Sequence, residues 1–282
     1  MYNAIFESDT GNKFVFGAPG SNIFDMNVGD GLTVSIGTSQ GFAQIGESVE
    51  SQAVTGRPIT VRGVVFGDVP QMKRSMRNIF APFATGRLVF DKSHYIRVYV
   101  KASPTFSPVK NDGRFTMQFF APFPYFYSMS EKTANVGAII PKFRFPVNYS
   151  TPHRFGTRTK ERYTNIYNGG DVSVPFDVYL TATGECPNAT ITNMKTLAFL
   201  KVNGTLNTGD SMRIYRGSSG ILRAELTSGG VTSDAISMID EESTLFQLAV
   251  GDNLIGATDD NDGANLTASF AFREAVVAVY ES

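Results

Sequence analysis

The chain has 282 residues and a formal net charge of −1, and 18% of its residues are charged. This length allows one or two domains, each with a buried core. Abundant Gly (27) and Phe (23) favour short strands joined by tight turns over helices. The sequence has no apolar span of about 18 residues and no charged segment before an apolar run. It therefore predicts neither a membrane-spanning helix nor a signal peptide. With a single cysteine, Cys186, an intrachain disulfide is excluded.

The two halves of the chain differ in charge. Residues 1–145 carry 15 Lys and Arg against 10 Asp and Glu, whereas residues 146–282 carry 10 against 16. The net charges are therefore +5 and −6. This asymmetry favours a domain boundary between residues 145 and 146, and it predicts that the two halves face different neighbours.

Short strands and turns begin the chain. Residues 2–6 and 13–16 flank a polar turn, and residues 21–26 and 32–36 flank the turn Gly29-Asp30-Gly31. Because Asp-Gly supplies the positive φ angles of tight turns, a hairpin is predicted at this second turn.

A polar, glycine-rich segment follows at residues 37–56, and it is either a long loop or a weakly amphipathic hairpin arm. Long loops in compact domains tend to be functional or disordered. We expect an arm that becomes ordered on contact with a neighbouring subunit, with simple mobility as the alternative. Its candidate contact residues are Gln44, Glu47 and Glu50.

Residues 59–66 predict a strand with a bulge at Gly63, and the apolar period then changes to helical spacing. Asp68 and Pro70 mark a helix start, so the sequence predicts one helix over about 69–81. Its basic residues are expected to face away from the apolar stripe, either into solvent or towards an acidic partner surface: Lys73, Arg74 and Arg77.

Strands are predicted again at residues 87–90, 95–100 and 114–120, and residues 103–109 resemble an edge piece because they hold two prolines. The stretch 115–145 is expected to hold the last strand of the first domain, the joint between the domains and the entry to the second. The candidate joint residues are Phe123, Tyr125, Phe126, Phe143 and Phe145.

The second half begins with a predicted surface loop at residues 147–163. Short strands then follow at a spacing of roughly 8–12 residues, which is typical of a β-sandwich. The predicted strands are 164–167, 176–181, 189–193, 197–202, 210–215, 221–225, 242–248, 250–255, 266–272 and 275–280.

No set of catalytic residues is present in the sequence. His94 and His153 lie in different halves, and nucleophile-elbow, zinc-protease and phosphate-loop motifs are absent. The acidic stretch around Gly263 would place Thr258 and Ser269 at the first and last ligand positions of a calcium loop, where neither fits. The sequence therefore predicts no enzyme, no metal site and no cofactor.

Several short segments, in their order and spacing, resemble the siphophage tail-component family, the distal tail proteins of long-tailed, non-contractile bacteriophages. The matching segments are Gly56-Arg57-Pro58-Ile59-Thr60-Val61 with Gly63, the helix followed by Gly86-Arg87-Leu88, the aromatic run 119–126, Phe143-Arg144-Phe145-Pro146, Ile166-Tyr167-Asn168-Gly169-Gly170-Asp171 with Pro175, the segment 186–193, Leu206-Asn207-Thr208-Gly209-Asp210, Phe246-Gln247-Leu248 and Val250-Gly251-Asp252-Asn253-Leu254-Ile255. Cys186 stands where the family usually has Asn, and the usual Pro before Val250 is missing.

This resemblance implies a mainly β chain. Residues 1–145 would be a ring-forming β-sandwich with one helix, like tail-tube proteins, and residues 146–282 a galectin-like β-sandwich. Six copies would form a ring at the tail tip of the virion, between the major tail tube protein and the tail-associated hub protein. The ring would carry receptor-binding components and would pass DNA through its channel. The arm and helix residues above would contact neighbouring subunits or the tube.

Three alternatives stay open from the sequence. One is a related tail component, such as a tube or tube-terminator protein, although the two-domain length argues against a plain tube protein. The second half could be a carbohydrate-binding module for host-surface glycans, with Tyr167, Tyr179 and Tyr215 as its candidate aromatic residues. The chain could also form the equivalent ring of a phage-derived bacteriocin. If the channel passes DNA, we expect it to avoid a strongly basic lining, because phosphate contacts would retard the DNA.

Overall fold

The computed structural model describes residues 4–17, 20–28, 31–109, 111–136, 139–141, 156–158, 162–217 and 220–279. Over these residues the chain is mainly β with one α-helix, which confirms the predicted fold class at that level. The chain forms two compact units. The first comprises Met1–Ser130 together with Ala275–Ser282, and the second comprises Glu131–Glu274. The tail-tube-like and galectin-like character of the two halves stays a prediction.

In chain order, the elements are β1 (Ala4–Ser8), β2 (Lys13–Phe16), β3 (Ser21–Met26), β4 (Val34–Ser39), β5 (Ser48–Val54), β6 (Arg57–Val65), α1 (Val69–Ile79), β7 (Thr85–Phe90), β8 (His94–Phe106), β9 (Arg114–Ala121), β10 (Phe126–Ser128), β11 (Lys132–Val136), β12 (Ile139–Pro141), β13 (Gly156–Arg158), β14 (Tyr163–Asn168), β15 (Phe176–Ala182), β16 (Cys186–Pro187), β17 (Thr190–Asn193), β18 (Phe199–Lys201), β19 (Thr205–Leu206), β20 (Ser211–Arg216), β21 (Leu222–Ser228), β22 (Val231–Asp234), a 3₁₀ turn (Ile236–Met238), β23 (Gly251–Thr258), β24 (Leu266–Phe272) and β25 (Ala275–Val276).

The division into units differs from the predicted boundary at 145/146. The second unit begins after Ser130, and the chain returns to the first unit at Ala275, where β25 pairs with β10. The second unit is therefore inserted between two paired strands of the first. The segment 275–280, which was expected to close the second domain, belongs to the first unit over its described residues. Sequence periodicity did not predict this pairing because the two strands lie far apart along the chain.

In the first unit, nine strands form a curved sheet in the order β2-β1-β7-β8-β9-β6-β3, with β10 pairing both β8 and β25. The edge strands β3 and β2 come close to each other: the Ser21 hydroxyl on β3 donates a hydrogen bond to the Val15 carbonyl on β2 at 3.3 Å. Side chains alternate between the two faces of the sheet, so that Ile59, Val61 and Val65 of β6 are buried.

The helix α1 packs on the buried face of this sheet. It begins after Asp68, whose carboxylate accepts a hydrogen bond from the Gln71 N–H at 3.1 Å, as predicted for its start. Phe80 directly follows its last turn, and its ring centre lies 5.0 Å from that of Phe6 and 5.8 Å from that of Phe119. The first unit is therefore closed by an aromatic core.

Two sequence predictions in the first unit need correction, and a third is observed. The register shift lies in β3, between Ile23 and Asp25, and not at Gly63. Gly63 is instead required by close packing, since a Cβ there would meet the Phe115 ring at 2.9 Å. β3 and β4 do not form a hairpin, because β3 pairs with β6 and β4 pairs with β5. The proline-containing piece was predicted as an edge, and it is one: it forms the end of β8, where β8 pairs with β9 on one side only.

The second unit contains a six-stranded sheet, β11-β24-β15-β20-β21-β22, and a four-stranded sheet, β14-β23-β17-β18. Their apolar faces meet, because Val178 and Ile214 of the larger sheet and Leu200 of the smaller one line the same narrow cleft. The predicted sandwich pattern is therefore observed. Two details differ: β13 lies within the predicted surface loop, and the predicted strand 242–248 contributes only an isolated bridge at Leu248.

Candidate assembly surfaces

The segment predicted as a loop or arm is a hairpin that makes a sheet of its own. β4 and β5 pair only with each other, and most of their residues are exposed. Its base is closed by Thr55, whose N–H donates to the Thr33 carbonyl at 2.9 Å. An isolated two-stranded hairpin is at best marginally stable in water. The hairpin therefore stands to gain stability from a partner. We call residues 33–55 the arm.

The tip of the arm exposes two large apolar side chains, Phe42 and Ile45, completely. Between them, Gln44 holds the turn together. Its side-chain oxygen accepts from the Gly41 N–H at 2.8 Å, and its amide donates to Ser48 at 2.9 Å. Gln44, predicted as a contact residue, therefore shapes the tip, and the two apolar side chains beside it are presented outwards. Sequence reasoning missed these two residues, although they interrupt an otherwise polar segment.

The acidic residues of the arm and the basic residues of α1 have no ion-pair partner in the part of the chain that the structure describes. Glu47 and Glu50 are exposed on the arm. Arg74 is exposed on the helix. Lys73 and Arg77 lie over the ring of Phe106, at 5.4 and 5.3 Å from its centre. This contact covers part of each side chain, and their charges stay available to a partner. Their predicted role in contacts between copies stays a prediction.

The predicted joint residues are only partly described. Phe126 is buried in the core of the first unit, where its ring lies edge-on to Phe90 at 5.5 Å. Phe123 is exposed and Tyr125 is half-buried. Phe143 and Phe145 lie outside the described residues. Their role as a joint stays a prediction.

The family motifs of the second unit supply buried residues that lock turns. The Asn168 amide donates to the carbonyls of Val172 and Leu248, at 2.9 and 3.1 Å. Asn253 accepts from the Ala249 N–H at 2.8 Å and donates to three backbone carbonyls. Buried amides of this kind satisfy backbone groups that would otherwise be unpaired. These two motif residues therefore stabilise turns of the second unit.

No arrangement suited to catalysis or metal binding occurs in the described ranges. There, no three His, Cys, Asp or Glu side chains lie close enough to share a metal ion. Asp259, in the acidic stretch considered for calcium, accepts from the backbone N–H groups of Asn261 and Gly263 and so closes its own turn. No helix among the described residues is long and apolar enough to cross a bilayer.

The three candidate tyrosines of the carbohydrate alternative differ in access. The Arg213 guanidinium lies 4.0 Å from the ring centre of Tyr215 and 5.5 Å from that of Tyr179, so it covers both rings. The Tyr215 hydroxyl donates to Glu225 at 2.7 Å, and this hydrogen bond raises the pKa of Tyr215. Of the three, only Tyr167 is largely exposed without such a cover. The structure therefore does not bring them together as one open platform.

Comparison with known proteins supports the resemblance. Residues 169–274 match the family model of the siphovirus-type tail component, C-terminal domain. The fold matches the SPP1 Dit protein, described as a paradigm of the hub adsorption apparatus in phages that infect Gram-positive hosts. That match has a TM-score of 0.68, 13% identity, and coverage of 98% of this chain and 99% of that one. A chain of the phage P2 baseplate in its activated conformation with Ca matches with a TM-score of 0.53, 13% identity and 99% coverage of both chains.

A second structure of the phage p2 baseplate, in its activated conformation with Sr, matches with a TM-score of 0.54 and 12% identity. It covers 99% of this chain and 100% of that one. No curated protein gives a significant sequence match. The resemblance to siphophage distal tail proteins, drawn above from short motifs, is confirmed by the family match and by the similar fold.

Proposed function

On the premise of this family match, we propose that the chain is a structural component of a siphophage tail tip. Six copies form a ring that joins the tail tube to the hub protein, carries receptor-binding components and leaves a channel for DNA. The observation that carries this proposal is the arm. A hairpin that packs on nothing else and ends in exposed Phe42 and Ile45 is suited to assembly with another chain.

The arm of one copy contacts α1 of the next copy in this ring. The arm carries Glu47 and Glu50, the helix carries Lys73, Arg74 and Arg77, and the described residues offer none of these charges a partner of opposite sign. A pair of different patches, repeated by rotation, is the kind of contact that closes a ring. In this contact the opposite charges of the arm and the helix fix how the two copies align, and the apolar side chains at the tip of the arm become buried in the interface.

The test is the solution mass of the purified full chain, measured by light scattering. Six chains of 30.7 kDa give a mass of about 184 kDa. The double substitution F42S/I45S should lower this mass, whereas V231S, at an exposed apolar position of the second unit, should not. A monomer that stays monomeric when tube and hub proteins are added would contradict the proposal.

A charge exchange tests the arm–helix contact itself. E47K/E50K should weaken the assembly, and R74E/R77E should weaken it as well. The combination of the four substitutions should restore the wild-type mass, because the pairs regain opposite charges. If the combined variant loses as much assembly as E47K/E50K and R74E/R77E lose together, the arm does not contact the helix. The chain could then still form a ring through other surfaces.

A further inference from the structure

Phe83, in the turn between α1 and β7, is a large apolar residue whose side chain lies in solvent. It is 95% exposed, whereas no large apolar residue of the described chain outside the arm tip exceeds 72%. A phenyl ring in water forgoes the stabilisation that its burial would give. Phe83 therefore belongs with Phe42 and Ile45 of the arm tip as one of the three most exposed large apolar residues that the structure describes.

The backbone of Phe83 is strained as well as exposed. Its φ of 69° lies in the left-handed region, which residues with a side chain rarely adopt. The turn 81–84 is closed by a hydrogen bond from the Ala84 N–H to the Ala81 carbonyl at 3.1 Å. Proline at the second position and a positive φ at the third are the pattern of a type II turn, in which glycine or asparagine is the favoured third residue. A phenylalanine at this position therefore stabilises neither the turn nor the core.

Two hydrogen bonds fix this turn to β8. The Ser103 hydroxyl donates to the Phe80 carbonyl at 2.8 Å, and the Val100 N–H donates to the Ala84 carbonyl at 2.9 Å. The chain is therefore held on both sides of Phe83, and the exposed ring stands on a fixed backbone. An aromatic side chain that is already ordered in the free protein loses little further freedom when a partner binds, so it is suited to anchor an interface.

The surface before Phe83 complements the arm in charge and in order. Residues 69–83 hold three basic residues and no acidic one, whereas the arm holds Glu47 and Glu50 and no basic one. From the arm tip towards its base, the apolar side chains come first and the carboxylates follow. From Phe83 back along α1, the apolar side chain likewise comes first and the cations follow. The six residues of β4, at about 3.3 Å each, extend the arm by roughly 20 Å, so it can reach a second copy.

We infer that Phe83 is the docking site for the arm tip of a neighbouring copy, where its ring packs against Phe42 and Ile45. The inference rests on the proposed function, in which the arm contacts α1 of the next copy, and it adds the residue that receives the apolar tip. Anchor residues of an interface tend to pair with anchor residues of the partner near its centre. The charges of the arm and the helix lie beside this contact and orient it.

Cross-linking of cysteine variants tests the contact directly. The variant F42C/F83C carries both thiols, and the native Cys186 is buried and so shielded from the reagent. The full chain is first assembled, with tube and hub proteins added if it is monomeric alone, and is then treated with a short bismaleimide. We expect a ladder of linked chains that ends at six. F42C alone and F83C alone should give no ladder, and a mixture of these two variants should give linked pairs.

A substitution of Phe83 itself measures how much the ring contributes to assembly. F83N removes the ring and tolerates a positive φ, so the melting temperature of the unassembled chain should not fall. The dissociation constant between copies should rise by about tenfold or more. The matched control is L197N, since Leu197 is 72% exposed and has a φ of 60° in a turn of the second unit, and this substitution should leave assembly unchanged.

The outcomes separate this inference from the proposed function. An assembled hexamer in which positions 42 and 83 do not link, or in which F83N assembles like wild type, overturns the inference and leaves the ring standing. Linked products that stop at two chains retain Phe83 as the docking site and contradict a ring of six. A chain that stays monomeric when tube and hub proteins are present overturns both.

Discussion

Arg57, in the Gly56-Arg57-Pro58 motif, is a buried cation that joins three distant segments of the first unit. Its guanidinium donates to the carbonyls of Val28 at 2.7 Å, Pro124 at 3.1 Å and Val277 at 2.7 Å. It also lies over the ring of Phe126, at 5.0 Å from the centre. Because Val277 follows the inserted second unit, this side chain ties the end of the chain to the first unit. We predict that R57M destabilises this unit strongly.

The size of the effect follows from these contacts. A hydrogen bond to a charged group contributes about 1.5–3 kcal/mol, and buried acceptors that lose their donor add a desolvation cost. Simple addition over three bonds overestimates the loss, because methionine keeps part of the packing and the bonds are not independent. We expect a loss of about 3–5 kcal/mol, at or below the lower end of the simple sum of roughly 4.5–9 kcal/mol for three such bonds.

Hydrogen exchange followed by mass spectrometry measures this loss separately in each unit. In R57M, protection of β9 should fall by roughly 10²- to 4 × 10³-fold, since about 1.4 kcal/mol is a factor of ten, whereas β24 of the second unit should keep its protection. The matched control is R62M on the same strand. Arg62 is exposed, and its single ion pair, with Asp25, is long at 3.8 Å, so this substitution should change protection by about threefold or less. Equal effects of the two substitutions, or protection of β9 unchanged in R57M, would refute this reasoning.

Three further predictions concern positions where the sequence gives the residue but not its role. Gly86→Ala should lower the free energy of unfolding by about 1–3 kcal/mol, measured by thermal unfolding, because a Cβ would collide with a backbone carbonyl of β1. Gly31→Ala is the control, since Gly31 has open space around it and its substitution should be nearly neutral. Asn253→Ala should cost the second unit about 2–4 kcal/mol in chemical unfolding, and Asn165→Ala, at an exposed position, about 0.5 kcal/mol or less. Hydrogen bonds from a serine hydroxyl and a backbone N–H lower the pKa of Asp210, so the stability they supply is present above about pH 4 and is lost as the pH falls. The difference in melting temperature between wild type and D210N should therefore shrink below pH 4, and a difference constant down to pH 2.5 would contradict the assignment.

Elements with strong local periodicity could be predicted from the sequence. The helix α1 was expected over about 69–81 and occupies Val69–Ile79, because its apolar spacing, Asp68 cap and early proline all favour the same structure. Most strands of the second unit lie within a few residues of their predicted positions for the same reason. The arm was one of two alternatives, since its polar sequence has little periodicity.

Features that depend on distant parts of the chain could not be predicted in this way. The boundary at 145/146 was placed from charge and aromatic content, whereas the first unit is completed by β25, which no local pattern assigns to it. Gly63 resembled a bulge because a glycine inside a strand often marks one, but close packing against Phe115 requires it here. The contact of Lys73 and Arg77 with Phe106 likewise depends on how a helix packs on a strand beyond it in sequence.

The residues that carry the family resemblance and those proposed for assembly are different sets. Their roles in stability and in assembly can therefore be tested separately. Arg57, Asn168 and Asn253 are buried and bond to the chain's own backbone, so their substitution should lower stability within one unit. Phe42 and Ile45 are exposed and pack on nothing in the described chain, so F42S/I45S should reduce the assembled mass without lowering the stability of the unassembled chain. A variant of the arm that destabilised the isolated chain would mean that the hairpin is part of the fold. A variant of Arg57 that changed the mass at unchanged stability would mean that the motif itself forms a contact between copies.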